Sequence, residues 1–289
     1  MFIGSYVAIV TPFKKDLSVN YDQLGKLIEW QIESKTDGIV VLGTTGEAAT
    51  LNETEKLEVI KYTVEKVDRR IPVVAGTGSN CTSQTVDFSK KVEELGVDGL
   101  LVVNPYYNKG NKRGLYLHYK AINDAVDIPI ILYNVPSRTG YDMPVDLIVE
   151  LGKLQNIIAI KEASGDLAKM KRIVKKTDLT VFTGNDDIIV KTIKLGGKGC
   201  ISVLANVKPV IVREMVYLAL TGKIDVAEKL QKRYKPFVDA LFIEVNPIPV
   251  KMILNYLDFD VGEYRLPLAP MNRSLKRKVV RILIDKYEF

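Results

Sequence analysis

Histidine is almost missing from this chain: one residue, His118, in 289. A single imidazole excludes a His-rich metal centre and leaves a Ser-His-Asp triad without support. Cysteine is nearly as scarce. Cys81 and Cys200 stand at no metal-ligand spacing and cannot build a disulfide framework, which suits a reducing cytoplasm. No run of about 18 apolar residues occurs, so no membrane span is expected. The opening MFIGSYVAIVTPFKK has no basic region ahead of a long apolar stretch and reads as a strand, not a leader. No Gly-x-Gly-x-x-Gly or Walker pattern is present, so Gly76-Thr-Gly78 is too weak to mark a nucleotide site. Charge of one sign is also lacking. The net +6 comes from 41 basic and 35 acidic residues, well mixed. The densest basic cluster, Lys276–Lys278 with Arg281, alternates with Val279, Val280, Ile282 and Leu283, the pattern of the wet face of a helix. A nucleic-acid partner is not expected, although a mild positive field favours anionic metabolites.

What is present is a repeated alternation. Strand-like apolar runs fall at Tyr6–Val10, Gly38–Leu42, Pro72–Gly76, Gly99–Asn104, Pro129–Asn134, Ile157–Lys161, Thr180–Thr183 and Gly199–Leu204. Their starts are spaced by roughly 20–35 residues, the spacing of βα units. Amphipathic stretches such as Tyr21–Ser34, Glu53–Lys66, Thr82–Leu95 and Pro144–Leu154 lie between them. Asn52 with Glu55 makes a capping-box variant, and Gly96 and Gly196 mark helix ends. Eight units point to an α/β fold, a parallel (β/α)8 TIM barrel; a doubly wound open sheet is the competing fold. After Asn206 the segments 208–220, 225–242, 248–257 and 272–287 all read as helices. The division expected is a barrel over residues 1–222 and a C-terminal helical region over 223–289.

The sixth run ends in a lysine. In a strand, Ile157, Ala159, Lys161 and Ala163 share one face and Ile158 and Ile160 the other. A buried ammonium is disfavoured, and a neutral amine attacks carbonyls to form a Schiff base. The plainer reading is a lysine that reaches solvent or pairs with Glu162. Chemistry in such barrels sits at the C-terminal strand ends. Strand two ends in Gly43-Thr-Thr-Gly-Glu47, where successive N–H groups suit a small carboxylate, or simply make a tight turn. Strand five ends in Tyr133 and leads to Arg138. Alternation places Tyr133 beside Lys161 on an adjacent strand, a phenol fit to shuttle protons to an amine. Packing is the commoner role for a buried tyrosine, and a surface ion pair for a lone arginine. Asp186-Asp187 is read as charge at a helix N-terminus, and His118 as structural or surface.

The segments GTTGEAATL (43–51), NPYYNKG (104–110), YNVPSRTG (133–140), IKEASGD (160–166), TGNDD (183–187) and GCISVLANV (199–207) resemble, in order, those of the dihydrodipicolinate synthase family. That family lies within the pyruvate-dependent class I aldolases, which include N-acetylneuraminate lyase. The resemblance spans essentially the whole chain. It implies a lyase that joins pyruvate to aspartate 4-semialdehyde in lysine and diaminopimelate biosynthesis, without cofactor, through an imine on Lys161. It implies Tyr133 as proton donor and acceptor, and Thr44 and Tyr107 as a relay with it, Tyr107 coming from a neighbouring copy in a homotetramer. It implies that Thr45 holds the pyruvate carboxylate, that the backbone of Ile201 faces the site, and that Arg138 orients the second substrate. Lysine-inhibited members carry a glutamate at Gln84 and a histidine at Lys56, while Asn80 and Tyr106 are kept here; weak or absent lysine inhibition is expected. A sugar-acid or sialic-acid lyase and a catalytically silent barrel are the competing readings. A phosphate-binding isomerase is disfavoured because Gly196-Gly-Lys-Gly199 precedes strand eight.

Overall fold

In the computed structural model, which describes residues 2–286, eight strands form one closed parallel barrel in sequence order. They are β1 (Gly4–Ala8), β2 (Gly38–Val41), β3 (Val73–Gly76), β4 (Gly99–Val103), β5 (Ile130–Asn134), β6 (Ile157–Glu162), β7 (Thr180–Thr183) and β8 (Gly199–Ser202). Closure comes from β1 pairing with β8, Gly4 opposite Gly199. The helices are α1 (Tyr21–Glu33), α2 (Glu53–Val67), α3 (Thr82–Glu93), α4 (Lys112–Asn123), α5 (Pro136–Thr139), α6 (Val145–Leu151), α7 (Leu167–Lys176), α8 (Ile189–Lys194) and α9 (Pro209–Leu220). Three more follow the barrel: α10 (Ile224–Leu241), α11 (Ile248–Tyr256) and α12 (Arg273–Lys286). Tyr287, the expected end of the last helix, lies outside the described residues.

The strands are apolar on both sides because both sides are covered. Tyr6, Val40, Leu101, Ile131, Phe182 and Ile201 fill the barrel interior. Leu100, Ile130, Leu132, Ile160 and Val181 face outward into a second core under the helices. The expected helix signals operate. Asn52 accepts from the Glu55 N–H, and the Glu55 side chain accepts from the Asn52 N–H. Gly96 and Gly196 both adopt left-handed backbone. In α12, Val279 and Leu283 are buried beneath the basic residues.

The alternation expected for β6 fails at its start. Ile157 packs outward with Ile160, and Ile158 packs on the interior cluster. The register against β5 explains this: Ile130 pairs with Ile157 but Ile131 with Ala159, so the ladder slips by one residue. Such a bulge re-aims the side chains before it and leaves those after it in phase. From Ala159 to Lys161 the expected face is restored.

Candidate active site

Three lysines are buried among the described residues: Lys161, Lys169 and Lys251. Two have carboxylates. Lys169 pairs with Asp142 and stands 3.4 Å from Glu162; Lys251 stands 2.7 Å from Glu47. Lys161, 7% exposed, has no salt-bridge partner among the described residues. Its Nζ lies 4.4 Å from the centre of the Tyr133 ring. Those two residues are register partners across β5 and β6. Space for the long side chain comes from Gly184 after β7, where a Cβ would stand 2.9 Å from Lys161 Cε and 2.7 Å from Ala163 Cβ.

Glu162 is not the partner of Lys161. The period of two sends it to the opposite face, where it is fully buried. There it accepts the Asn134 side-chain N–H at 2.9 and 3.0 Å and the Ser164 N–H at 2.8 Å. Asn134 and Glu162 are themselves register partners. The rung behind the sheet therefore locks the strand pair that carries Tyr133 and Lys161.

The turn after β2 begins with Leu42 in left-handed backbone at φ +55°. That bend brings the Leu42 carbonyl against Gly76, where a Cβ would lie only 2.1 Å from it. The Gly46 and Glu47 amides donate to the Gly43 and Thr44 carbonyls at 3.1 Å each. Those two N–H groups are thus spent within the turn, and an anion there would rely on Thr44 and Thr45 instead. Thr11 donates its hydroxyl to the Gly46 carbonyl at 2.6 Å. The buried Thr45 hydroxyl accepts from the Asn246 side chain at 2.9 Å, which leaves its own proton for another acceptor.

Asn246 also reaches the other side of the mouth. Its carbonyl accepts from Arg138 at 3.1 Å. Sequence reasoning missed this residue, because it lies 201 positions from Thr45 in a stretch read only as helical appendage. Ile201 is buried on β8, opposite Tyr6. Tyr107, by contrast, is 88% exposed with left-handed backbone at φ +71°, so its phenol projects from the chain.

Asp186 and Asp187 stand in the first turn of the short helix Asp186–Ile188, as expected, but Asp186 has a further role. It caps not its own helix but the turn after β8, accepting the Val203 and Leu204 N–H groups at 3.0 and 2.9 Å. Burial raises its carboxyl, opposed by the Ser202 hydroxyl, those amides and the charge of Lys161. His118 is buried, with Nδ1 against the Thr82 hydroxyl at 2.9 Å. Cys81 and Cys200 are both free thiols.

The arrangement offers a dry amine beside a phenol, with hydroxyls and a guanidinium at the rim, which is the equipment for imine chemistry on a keto acid. The family model described as "Dihydrodipicolinate synthetase family" matches residues 1–286. A 4-hydroxy-tetrahydrodipicolinate synthase of Caldicellulosiruptor saccharolyticus is 49% identical over 286 residues, 99% of this chain and 97% of the relative. The crystal structure of a chloride-inhibited dihydrodipicolinate synthase from Acinetobacter baumannii, complexed with pyruvate, superposes with TM-score 0.97 at 41% identity, covering 99% of each chain. A structure described as the first monomeric dihydrodipicolinate synthase variant gives TM-score 0.96 at 38% identity, covering 99% of this chain and 97% of that one. With the family model matched from residue 1 to 286, over a closed barrel of the same fold, the chain belongs to the dihydrodipicolinate synthetase family.

Proposed function

We propose that the protein condenses pyruvate with aspartate 4-semialdehyde to give 4-hydroxy-tetrahydrodipicolinate, a lyase-class step of lysine and diaminopimelate biosynthesis. The observation that carries this reading is Lys161. It is the buried lysine without a carboxylate among the described residues, and it lies against the Tyr133 ring.

The Lys161 amine adds to the pyruvate ketone, and loss of water gives the imine. Loss of a methyl proton gives the enamine, whose carbon attacks the aldehyde. The substrate's own amine then displaces Lys161 and closes the ring. The imine is itself the electron sink, so this sequence calls on no metal or organic cofactor. Tyr133 moves the protons, with Thr44 and a neighbouring copy's Tyr107 as relay. Thr45 holds the pyruvate carboxylate beside the backbone of Ile201. Arg138, held on the Asn246 carbonyl, receives the carboxylate of the aldehyde substrate through its planar fork.

The exposure of Tyr107 supports a second copy completing the site. The assembly we propose is a homotetramer of paired dimers. Free cysteines fit a cytoplasmic location, and no helix of the described residues is long and apolar enough to cross a membrane.

Incubation with pyruvate and borohydride, followed by intact-protein mass spectrometry, tests the imine. One trapped pyruvate per chain, mapped to Lys161 and lost in Lys161→Ala, is the expected result. Absence of an adduct on folded protein removes the mechanism. Arg138→Ala separates the synthase from a sugar-acid lyase: it should impair use of aspartate semialdehyde far more than imine formation.

A further inference from the structure

Glu47 is a costly residue for its position. It closes the turn that carries Thr44 and Thr45 with left-handed backbone at φ +53°, a region most side chains avoid. It is also buried, and its partner Lys251 is buried with it. The Lys251 ammonium lies 2.7 Å from Glu47 Oε1 and donates to the Glu263 carbonyl at 2.6 Å. It sits between two aromatic faces, 4.3 Å from the Phe13 centroid and 5.2 Å from that of Tyr264. The other carboxylate oxygen accepts the Arg265 N–H at 3.4 Å. Arg265 in turn spans to the Thr50 carbonyl at 3.1 Å and to Glu55 at 2.6 Å. The turn is thus gripped at its end by α11 and the segment after it.

A dry ion pair contributes little net stability, because desolvation offsets the attraction. What it does supply is direction. Two bonds and two ring faces fix the Lys251 ammonium, and through it the Glu47 carboxylate, which is two residues from Thr45. We propose that the Glu47–Lys251 pair is a positioning device for the carboxylate-binding turn, so that the helical segment beyond residue 222 forms part of the pyruvate site. Asn246 works with it by holding the Thr45 hydroxyl from the same segment. Neither Glu47 nor Lys251 touches the reacting atoms. Their loss loosens the grip on the pyruvate carboxylate and leaves the amine chemistry of Lys161 in place. This inference rests on the pyruvate reading given above.

The variant that tests it is Glu47→Gln/Lys251→Met, which removes both charges together and leaves no unpaired ion in the core. Glu47→Gln alone keeps an oxygen for Lys251 and serves if the double variant does not fold. Thermal unfolding, KM for each substrate, and borohydride trapping at saturating pyruvate are read side by side. The expected result is a folded protein whose KM for pyruvate rises about tenfold, with full trapping at saturation and an unchanged KM for the aldehyde. A folded variant with the wild-type KM for pyruvate overturns the proposal. So does a variant whose two KM values rise equally as its Tm falls, the mark of a merely structural pair. Wild-type protein that traps no pyruvate would remove the functional reading itself, a result distinguishable from either.

Discussion

At the scale of single residues, the features that alternation and chain order express were legible, and those that depend on a distant neighbour were not. Lys161 and Tyr133 share a face because strands have period two, and the structure places them as register partners. Asn246 gave no signal, because its two contacts join segments remote in the sequence. Gly184 was also unread, although it makes the room that Lys161 occupies. Gly184→Ala should lower the rate of pyruvate trapping about 10- to 100-fold by displacing Lys161 Cε, with far-UV circular dichroism unchanged. His118 gives a pH prediction. Burial lowers it from 6.5 to about 4, and its Nε2 has no partner among the described residues. The unfolded chain then binds more protons between those values, so stability falls as pH drops from 6.5 to about 4, by up to about 3 kcal/mol. His118→Gln should flatten that slope in urea titrations across the window. Lys56, half-buried over the Phe88 ring at 5.9 Å, adds a like charge where Gln84 offers no carboxylate. Steady-state rates should accordingly resist millimolar lysine; inhibition below that concentration would contradict this.

At the scale of elements, all eight strands and the helices α1–α3, α6 and α9 were readable because a two-sided apolar strand and a one-sided amphipathic helix differ in period. The bulge at the start of β6 was not, since a slip of register is a property of the strand pair and not of either strand. The same pair shows why Glu162 matters. It holds Asn134, Ser164 and Lys169 behind the sheet, so it sets the pairing in front of it. Glu162→Ala leaves Lys169 buried with Asp142 as its remaining partner and should cost about 3 kcal/mol. Chemical denaturation measures that loss. The Gly43–Gly46 turn was placed correctly, yet its internal hydrogen bonds, and hence which donors stay free, required coordinates.

At the scale of the whole molecule, the proposed relay joins an exposed Tyr107 of one copy to a buried Lys161 of another. Complementation checks this. Lys161→Ala and Tyr107→Ala proteins, each impaired, should regain activity when unfolded, mixed and refolded. In random isologous pairs half the dimers are mixed and each holds one intact site, so recovery should approach about a quarter of wild type. No recovery would place the relay within one chain. The grip on Glu47 has a further consequence for how the molecule is made. Glu47 and Lys251 are 204 residues apart, and synthesis proceeds at about 5–20 residues per second, so roughly 10–40 s separate their emergence from the ribosome. Lys161 precedes Lys251 by 90 residues (251 − 161), so for roughly 5–18 s of that interval the nascent chain carries its lysine strand without the proposed clamp. On the reading proposed above, translation itself then acts as a timer that keeps a half-made chain from gripping pyruvate.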